Sequence, residues 1–302
     1  NVNFSSGASR GRFFQIRGIG ERSQFIEPLN PSVGLLIDGI DFTGIAGAAT
    51  TMDLEQVEVF RGPQGTIYGA NALAGLISLK SKQPTENTEG NILLSAGRFD
   101  TSSIEMAVGG SMNDDTAYRL AVHKHSSDGY TENEFLQRDD TDNIDEKSMR
   151  AIVQWQPTVA FTSKFTLFYA QVDNGYDAFS LDNTRVTLSD KPGHDRQTSK
   201  ALAIDNKWSI KHGFDVFALL SHAETDSEYG YDEDWAFPDI CIGLSCEGWE
   251  YSSEDNYMRD RENSAIDIKL VSKRPILFFG ESYNWIIGAY LRRQDERLLR
   301  QY

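Results

Sequence analysis

Few side chains in this 302-residue sequence are spaced for chemistry. Cys241 and Cys246 flank Ile242-Gly243-Leu244-Ser245. A structural zinc site needs further ligands close by, and the spacing differs from a redox C-x-x-C. A small disulfide-closed loop in an oxidising compartment is preferred to two free thiols. His123 and His125 stand two apart, on one face if the segment is a strand; two ligands alone are a weak metal signal. Residues 139–145, with Asp139, Asp140, Asp142 and Asp145, are dense in oxygen ligands of the kind that hold Ca²⁺. They lack the glycine and terminal glutamate of an EF-hand, so a solvated acidic loop is favoured. Gly18-Ile19-Gly20 lacks the third glycine of a dinucleotide fingerprint, and the 62–69 stretch lacks the Lys-Ser/Thr of a P-loop. Neither a serine elbow nor H-E-x-x-H occurs. A non-enzyme with no resident cofactor is the expectation. The aromatic, acidic run containing Tyr229, Tyr231, Trp235 and Phe237, followed by Trp249 and Tyr251, offers rigid contact area for a ring-bearing ligand. Those rings serve equally to pack a loop on itself, and both readings stand.

The elements that position these groups are strands. Lys+Arg total 29 against 45 Asp+Glu, and 29 − 45 = −16 disfavours a nucleic-acid partner. Aromatics at 11% with only 8 prolines suit a β-rich chain. No apolar run approaches the ~20 residues of a membrane-spanning helix, but barrel strands need only ~9–11 alternating residues. Such alternation recurs. Ile104, Met106 and Val108 oppose Ser103, Glu105 and Ala107. Met149, Ala151, Val153 and Trp155 oppose Ser148, Arg150, Ile152 and Gln154. Leu202, Ile204, Trp208 and Ile210 share one face, as do Ile266, Ile268 and Leu270. With candidates at 91–96, 117–125, 164–172, 214–223 and 283–291, about nine strands are predicted.

The connections alternate. Turns at 112–115, 157–158 and 212–213, and a short connection around 273–280, interleave with long polar loops at 126–147, 173–198 and 224–259. A soluble sandwich has no reason to gather its long loops at one end; an outer-membrane barrel does. Trp155, at the short-turn end, suits an interfacial aromatic girdle. Nine strands leave open edges, which hydrocarbon does not tolerate, so the chain reads as part of a larger barrel. Asn1-Val2-Asn3 carries no initiator methionine or signal peptide, which suits a mature or truncated chain.

The composition changes near 80–89, with Pro84 as a strand stop, and the expected organisation is a domain at 1–84 and a barrel portion at 85–302. The first part holds the most specific string. Ile16-Arg17-Gly18 is followed by Leu36-Ile37-Asp38-Gly39, an Asp-Gly hairpin signal. Then come Asp53-Leu54-Glu55-Gln56-Val57-Glu58-Val59-Phe60-Arg61-Gly62-Pro63-Gln64-Gly65-Thr66-Ile67-Tyr68-Gly69-Ala70-Asn71-Ala72-Leu73-Ala74-Gly75. This ordered string strongly resembles the plug domain of TonB-dependent outer-membrane receptors, and the later rhythm is similar to the first part of that family's barrel. The resemblance implies a mainly β fold: a small mixed α/β plug and about nine of the ~22 strands of a plugged barrel. It implies residence in the bacterial outer membrane, surrounded by its lipid. It further implies TonB as the energising partner, and a scarce ligand, a ferric siderophore first, with cobalamin, haem or an oligosaccharide as alternatives. Iron would enter only within that cargo. A passive porin or adhesin that keeps a plug is the reading from another class. Arg17 and Arg61 match plug arginines that in the family face wall glutamates, with Glu58 as a local partner; the plain alternative is a pair of solvated strand-end arginines. The family's coupling box precedes the plug and has no counterpart in this sequence.

Overall fold

The computed structural model describes residues 2–22, 30–45, 51–65, 72–211, 213–241 and 252–302. The first part is built on short strands. β1 (Val2–Gly7) and β2 (Arg10–Ile16) form an antiparallel hairpin. β3 (Val33–Ile37), β4 (Ile40–Asp41), β5 (Leu54–Arg61) and β6 (Gly75–Ser81) form a sheet of order β4-β3-β6-β5. β3 and β6 run parallel; β3 is a continuous apolar run, as a strand covered on both faces requires, while β6 interleaves Leu76, Ile77 and Leu79 with Ser78, Lys80 and Ser81. The described residues of this part are strand and turn, with Gly65 alone helical, so the expected mixed α/β plug is β-built where it is described.

From Glu89 onward one nine-stranded antiparallel sheet forms the wall. Its members are β7 (Glu89–Ala96), β8 (Ser102–Asn113), β9 (Thr116–Ser127), β11 (Ile144–Thr158), β12 (Phe161–Tyr176), β14 (Gly193–Ser209), β15 (Phe214–Asp232), β16 (Glu254–Ser272) and β19 (Ile286–Gln301). Each pairs with its neighbours in this series, β7 and β19 forming the two edges. The two-residue strands β10 (Glu132–Asn133) and β13 (Val186–Thr187) pair in the outer loops, and β17 (Ile276–Phe278) with β18 (Glu281–Tyr283) makes a small hairpin.

All nine alternating segments are strands, yet most run farther than alternation indicates. β15 continues to Asp232 and β16 begins at Glu254, inside the stretch that reads as one loop. Above a lipid band neither face must be apolar. Polar residues therefore continue the strand as long as neighbours satisfy its backbone ladder. The long connections shrink to 128–143, 177–192 and 233–253, all at one end, where the 97–101 turn is also found. At the other end, 114–115 and 159–160 are tight turns, while 273–285 is a longer excursion carrying β17 and β18.

The two faces differ as the pattern requires. Met106, Val108, Met149, Val153, Leu202, Leu220, Ile266 and Ile268 lie exposed on the outer face. Near the short-turn end Trp155 meets Phe161 edge-on at 5.9 Å, and Phe161 stands opposite Trp208 across the sheet. The inner face is lined by small residues. Ala170, Ala201, Ala203 and Ala223 join Phe168 in one core with Ile16, Leu35, Ile37, Ile40, Phe42, Ile77 and Leu79 of the first part. Phe42 meets Phe168 edge-on at 5.2 Å. Burying each large apolar side chain contributes about 1.5–3 kcal/mol, so this contact holds the first part firmly against the wall.

Candidate functional site: the plug–wall contact and the outer loops

The deepest polar contact is built on a turn. Asp53 takes φ = 48°, a left-handed conformation that Asp tolerates better than most residues. That turn drives Met52 into the wall between Ala107 and Ala121, where it is 2% exposed. The wall then answers each polar group. Arg119 donates from Nε and Nη2 to the two Asp53 carboxylate oxygens, both at 2.6 Å, and from Nη1 to Glu89 at 2.8 Å. Arg150 Nη2 donates to the carbonyls of Met52 at 2.6 Å and Asp53 at 3.1 Å. Glu105 accepts the Asp53 N–H at 3.2 Å. A buried carboxylate is tolerable only with such a set of partners.

Two further ties run along the same interface. Arg10 donates to Asp195 at 2.6 and 3.0 Å, and the Ser9 hydroxyl donates to the same carboxylate at 2.6 Å. Arg292 of β19 lies 3.1 Å from the Asp41 carboxylate, while Arg261 donates to the Thr43 carbonyl. Beneath the Asp38–Gly39 turn a cavity of about 440 Å³ separates the two parts, lined among others by Glu55, Lys80, Lys164 and Asp267.

The residues singled out in the sequence are placed as follows. Arg17 (φ = 54°) and Gly18 form the turn after β2, and Arg61 ends β5; both arginines are exposed. Glu58 pairs with Lys80 at 2.8 Å rather than with either arginine. Asp38 and Gly39 both take positive φ, the hairpin turn the dipeptide predicts. Asp38 accepts the Ser81 N–H at 3.0 Å and its hydroxyl as well. A Cβ on Gly39 would stand 2.6 Å from a Leu219 methyl. A Cβ on Gly75 would stand 2.5 Å from the Phe60 carbonyl oxygen, so β5 and β6 could not close on a larger residue. Gly62, Pro63 and Gly65 follow β5. Tyr68, Gly69 and Asn71 lie outside the described residues, as do Cys246, Trp249, Tyr251 and the side chain of Cys241.

At the outer ends of the wall strands and in the loops beyond them the aromatic residues meet one another. Tyr229 stacks on Tyr257 at 4.6 Å, Phe179 on Trp235 at 5.2 Å, and Phe135 on Phe237 at 4.4 Å. The hydroxyls of Tyr231 and Tyr257 donate to the fully buried Asp255 at 3.0 and 3.1 Å, and Arg300 completes that carboxylate's shell. In the acidic run, Asp140 pairs with Arg138 at 2.7 Å. Burial beside Asp177 pushes the Asp142 carboxyl up to about 6, although Thr131 donates to it. Among the described residues, no three His, Cys, Asp or Glu side chains converge as metal ligands.

Sequence reasoning missed Met52, Asp53, Arg119 and Arg150 as a unit. A signal existed: Arg119 and Arg150 sit at positions of the alternation opposite the lipid-facing residues. An arginine on the inner face of a wall strand needs acceptors across from it, a carboxylate or backbone carbonyls.

A folded β domain thus sits inside a wall whose outer face is apolar, anchored by side chains from both parts. Residues 1–76 match the family model described as the TonB-dependent Receptor Plug Domain. The first part of the chain is thus a plug domain of the TonB-dependent receptor type. It is 26% identical over 148 residues to the vitamin B12 transporter BtuB of Vibrio vulnificus, covering 47% of this chain and 24% of that protein. It is 35% identical over 102 residues to the catecholate siderophore receptor Fiu of Escherichia coli K12, covering 32% of this chain and 13% of that protein. The fold matches the crystal structure of the ferric yersiniabactin uptake receptor FyuA from Yersinia pestis. There the TM-score is 0.78 at 17% identity, over 99% of this chain and 45% of that one. The chain therefore spans a quarter or less of these curated relatives and under half of the solved receptor. The wall has the fold of the corresponding part of that receptor's β-barrel.

Proposed function

We propose that the chain serves an outer-membrane receptor that binds a scarce extracellular ligand, a ferric siderophore complex first, and imports it with energy delivered by TonB. One observation carries this reading: the plug is not a loose insert but is clamped to the wall through Asp53, Arg119 and Arg150. Displacing so many satisfied polar groups requires work, which a passive pore does not receive. Similarity to siderophore receptors and to a vitamin B12 transporter supports a large, scarce cargo and keeps cobalamin as the second choice. No enzyme chemistry is needed for such a role.

Uptake of radiolabelled iron chelates and of cobalamin by cells expressing the full-length receptor tests the reading. Chelate uptake that disappears when TonB is deleted is expected. Uptake that persists without TonB removes active import; uptake of cobalamin alone moves the cargo to the second choice.

A further inference from the structure

On the outer face of the wall, the register draws a line of polar side chains across five adjacent strand pairs. Lys124 of β9 stands opposite Lys147 of β11, which stands opposite Gln171 of β12. Thr198 of β14, Asp226 of β15 and Asp260 of β16 continue the line, each directly opposite the one before. The two-residue period puts Val122, Met149 and Leu202 on the same outer face, nearer the short-turn end. The two lysines are therefore the first outward-facing polar groups beyond the apolar band on their strands, and both are exposed.

The line begins with two like charges and ends with two. Like charges directly opposed across a sheet destabilise it. Among the described residues, Lys124, Asp226 and Asp260 have no ion-pair partner, and Arg297 stands opposite Asp260 without pairing to it. Lys147 meets only Asp145, at 3.5 Å, with both side chains open to solvent. Between these two like-charged pairs the outer face carries a hollow of about 400 Å³, lined by Gln171, Thr198, Asp226 and Asp260. Arg196 and Asp173 also line it, paired at 3.1 Å while more than half exposed. The hollow thus offers acceptors and one guanidinium, a lining that hydroxyl groups match. Lys147 and Asp226 are three strand spacings apart, roughly 14 Å. One phosphate does not span that distance; a phosphate carried on sugar rings does.

We propose that this line binds a phosphorylated saccharide lipid of the surrounding leaflet. Its phosphate sits on Lys124 and Lys147, its sugar hydroxyls donate to Asp226 and Asp260, and its acyl chains lie over Met149 and the apolar residues beside it. Each like-charged pair then gains the group that relieves it. A headgroup that is anionic throughout leaves the two aspartates opposed and adds a third negative charge. The site needs the wall to face lipid and is independent of the transported ligand.

The test uses the full-length receptor, delipidated in a neutral detergent, with bound lipid counted by native mass spectrometry. Bisphosphorylated lipid A is the probe, compared with phosphatidylglycerol, phosphatidylethanolamine and glucosamine 1-phosphate. One lipid A per receptor should bind roughly tenfold or more tighter than any of the three, and added salt should weaken it. Lys124→Gln/Lys147→Gln should weaken lipid A roughly tenfold or more, because two charge-assisted hydrogen bonds are lost. Asp226→Ala/Asp260→Ala should weaken lipid A and leave phosphatidylglycerol unchanged or tighter. Arg293→Gln, on the outer face of β19 but outside the line, should leave lipid A binding as it was. A lysine double variant that keeps its folded barrel and binds lipid A like the wild type overturns the proposal. So does phosphatidylglycerol or the free sugar phosphate binding as tightly as lipid A, or an equal loss in Arg293→Gln.

Discussion

The Asp53 clamp permits a quantitative prediction. Both charged partners are almost fully buried, with side chains 4% and 2% exposed, and they meet in a bidentate pair. Removing one member of such a pair costs about 3–5 kcal/mol, because the other charge is left buried. The outlying Glu89, half exposed, contributes at most ~1 kcal/mol. Arg119→Met leaves the Asp53 carboxylate without its bidentate donor and belongs at the upper end. Asp53→Asn keeps a residue that tolerates φ = 48° and leaves Arg119 with Glu89, so it belongs at the lower end. At ~1.4 kcal/mol per decade, the opening constant of the plug turn rises roughly 10²–10⁴-fold. Hydrogen exchange across Leu54–Arg61 in the lipid-embedded full-length receptor reads that opening directly. The double variant Asp53→Asn/Arg119→Met removes both charges and should recover most of the loss, ending within ~1 kcal/mol of the wild type. Single variants that exchange like the wild type, or a double variant whose cost is the sum of the two, refute the reasoning.

Two other predictions rest on the wall and the loops. Ile266→Arg on the lipid-facing side of β16 should cost ~2–4 kcal/mol in folding into lipid vesicles, followed by urea titration; an unchanged midpoint would show that this face does not meet lipid. Asp142 holds its proton more tightly in the folded loop than in an unfolded chain, whose carboxyl titrates near 3.8. Its contribution is therefore intact below about pH 4 and is lost as the pH rises through about 6. Loop 128–143 should be cleaved faster by protease at pH 7.5 than at pH 5, and Asp142→Asn should abolish the difference.

Much of this molecule was readable before any coordinates. The Asp38–Gly39 turn, the plug string and the alternation of Ile104/Met106/Val108 or Ile266/Ile268/Leu270 are local rules. A positive φ or a lipid-facing side chain demands particular residue types at particular spacings. Strand ends were not readable in this way. Outside the lipid band the backbone ladder alone sustains β15 and β16, and a ladder places no demand on side-chain polarity. Which charges pair was likewise decided only by tertiary structure. Arg17 and Arg61 carry the family's motif, yet the buried pair joins Asp53 to Arg119, sixty-six positions apart. The aromatic run shows the same division: its composition announced rings, but only the register of β15 against β16 set Tyr229 on Tyr257, and only the folded loops set Phe237 on Phe135. Local sequence determines conformation because steric and solvent preferences act residue by residue. Long-range partners are set by the register of the wall strands and the depth at which the plug sits between them.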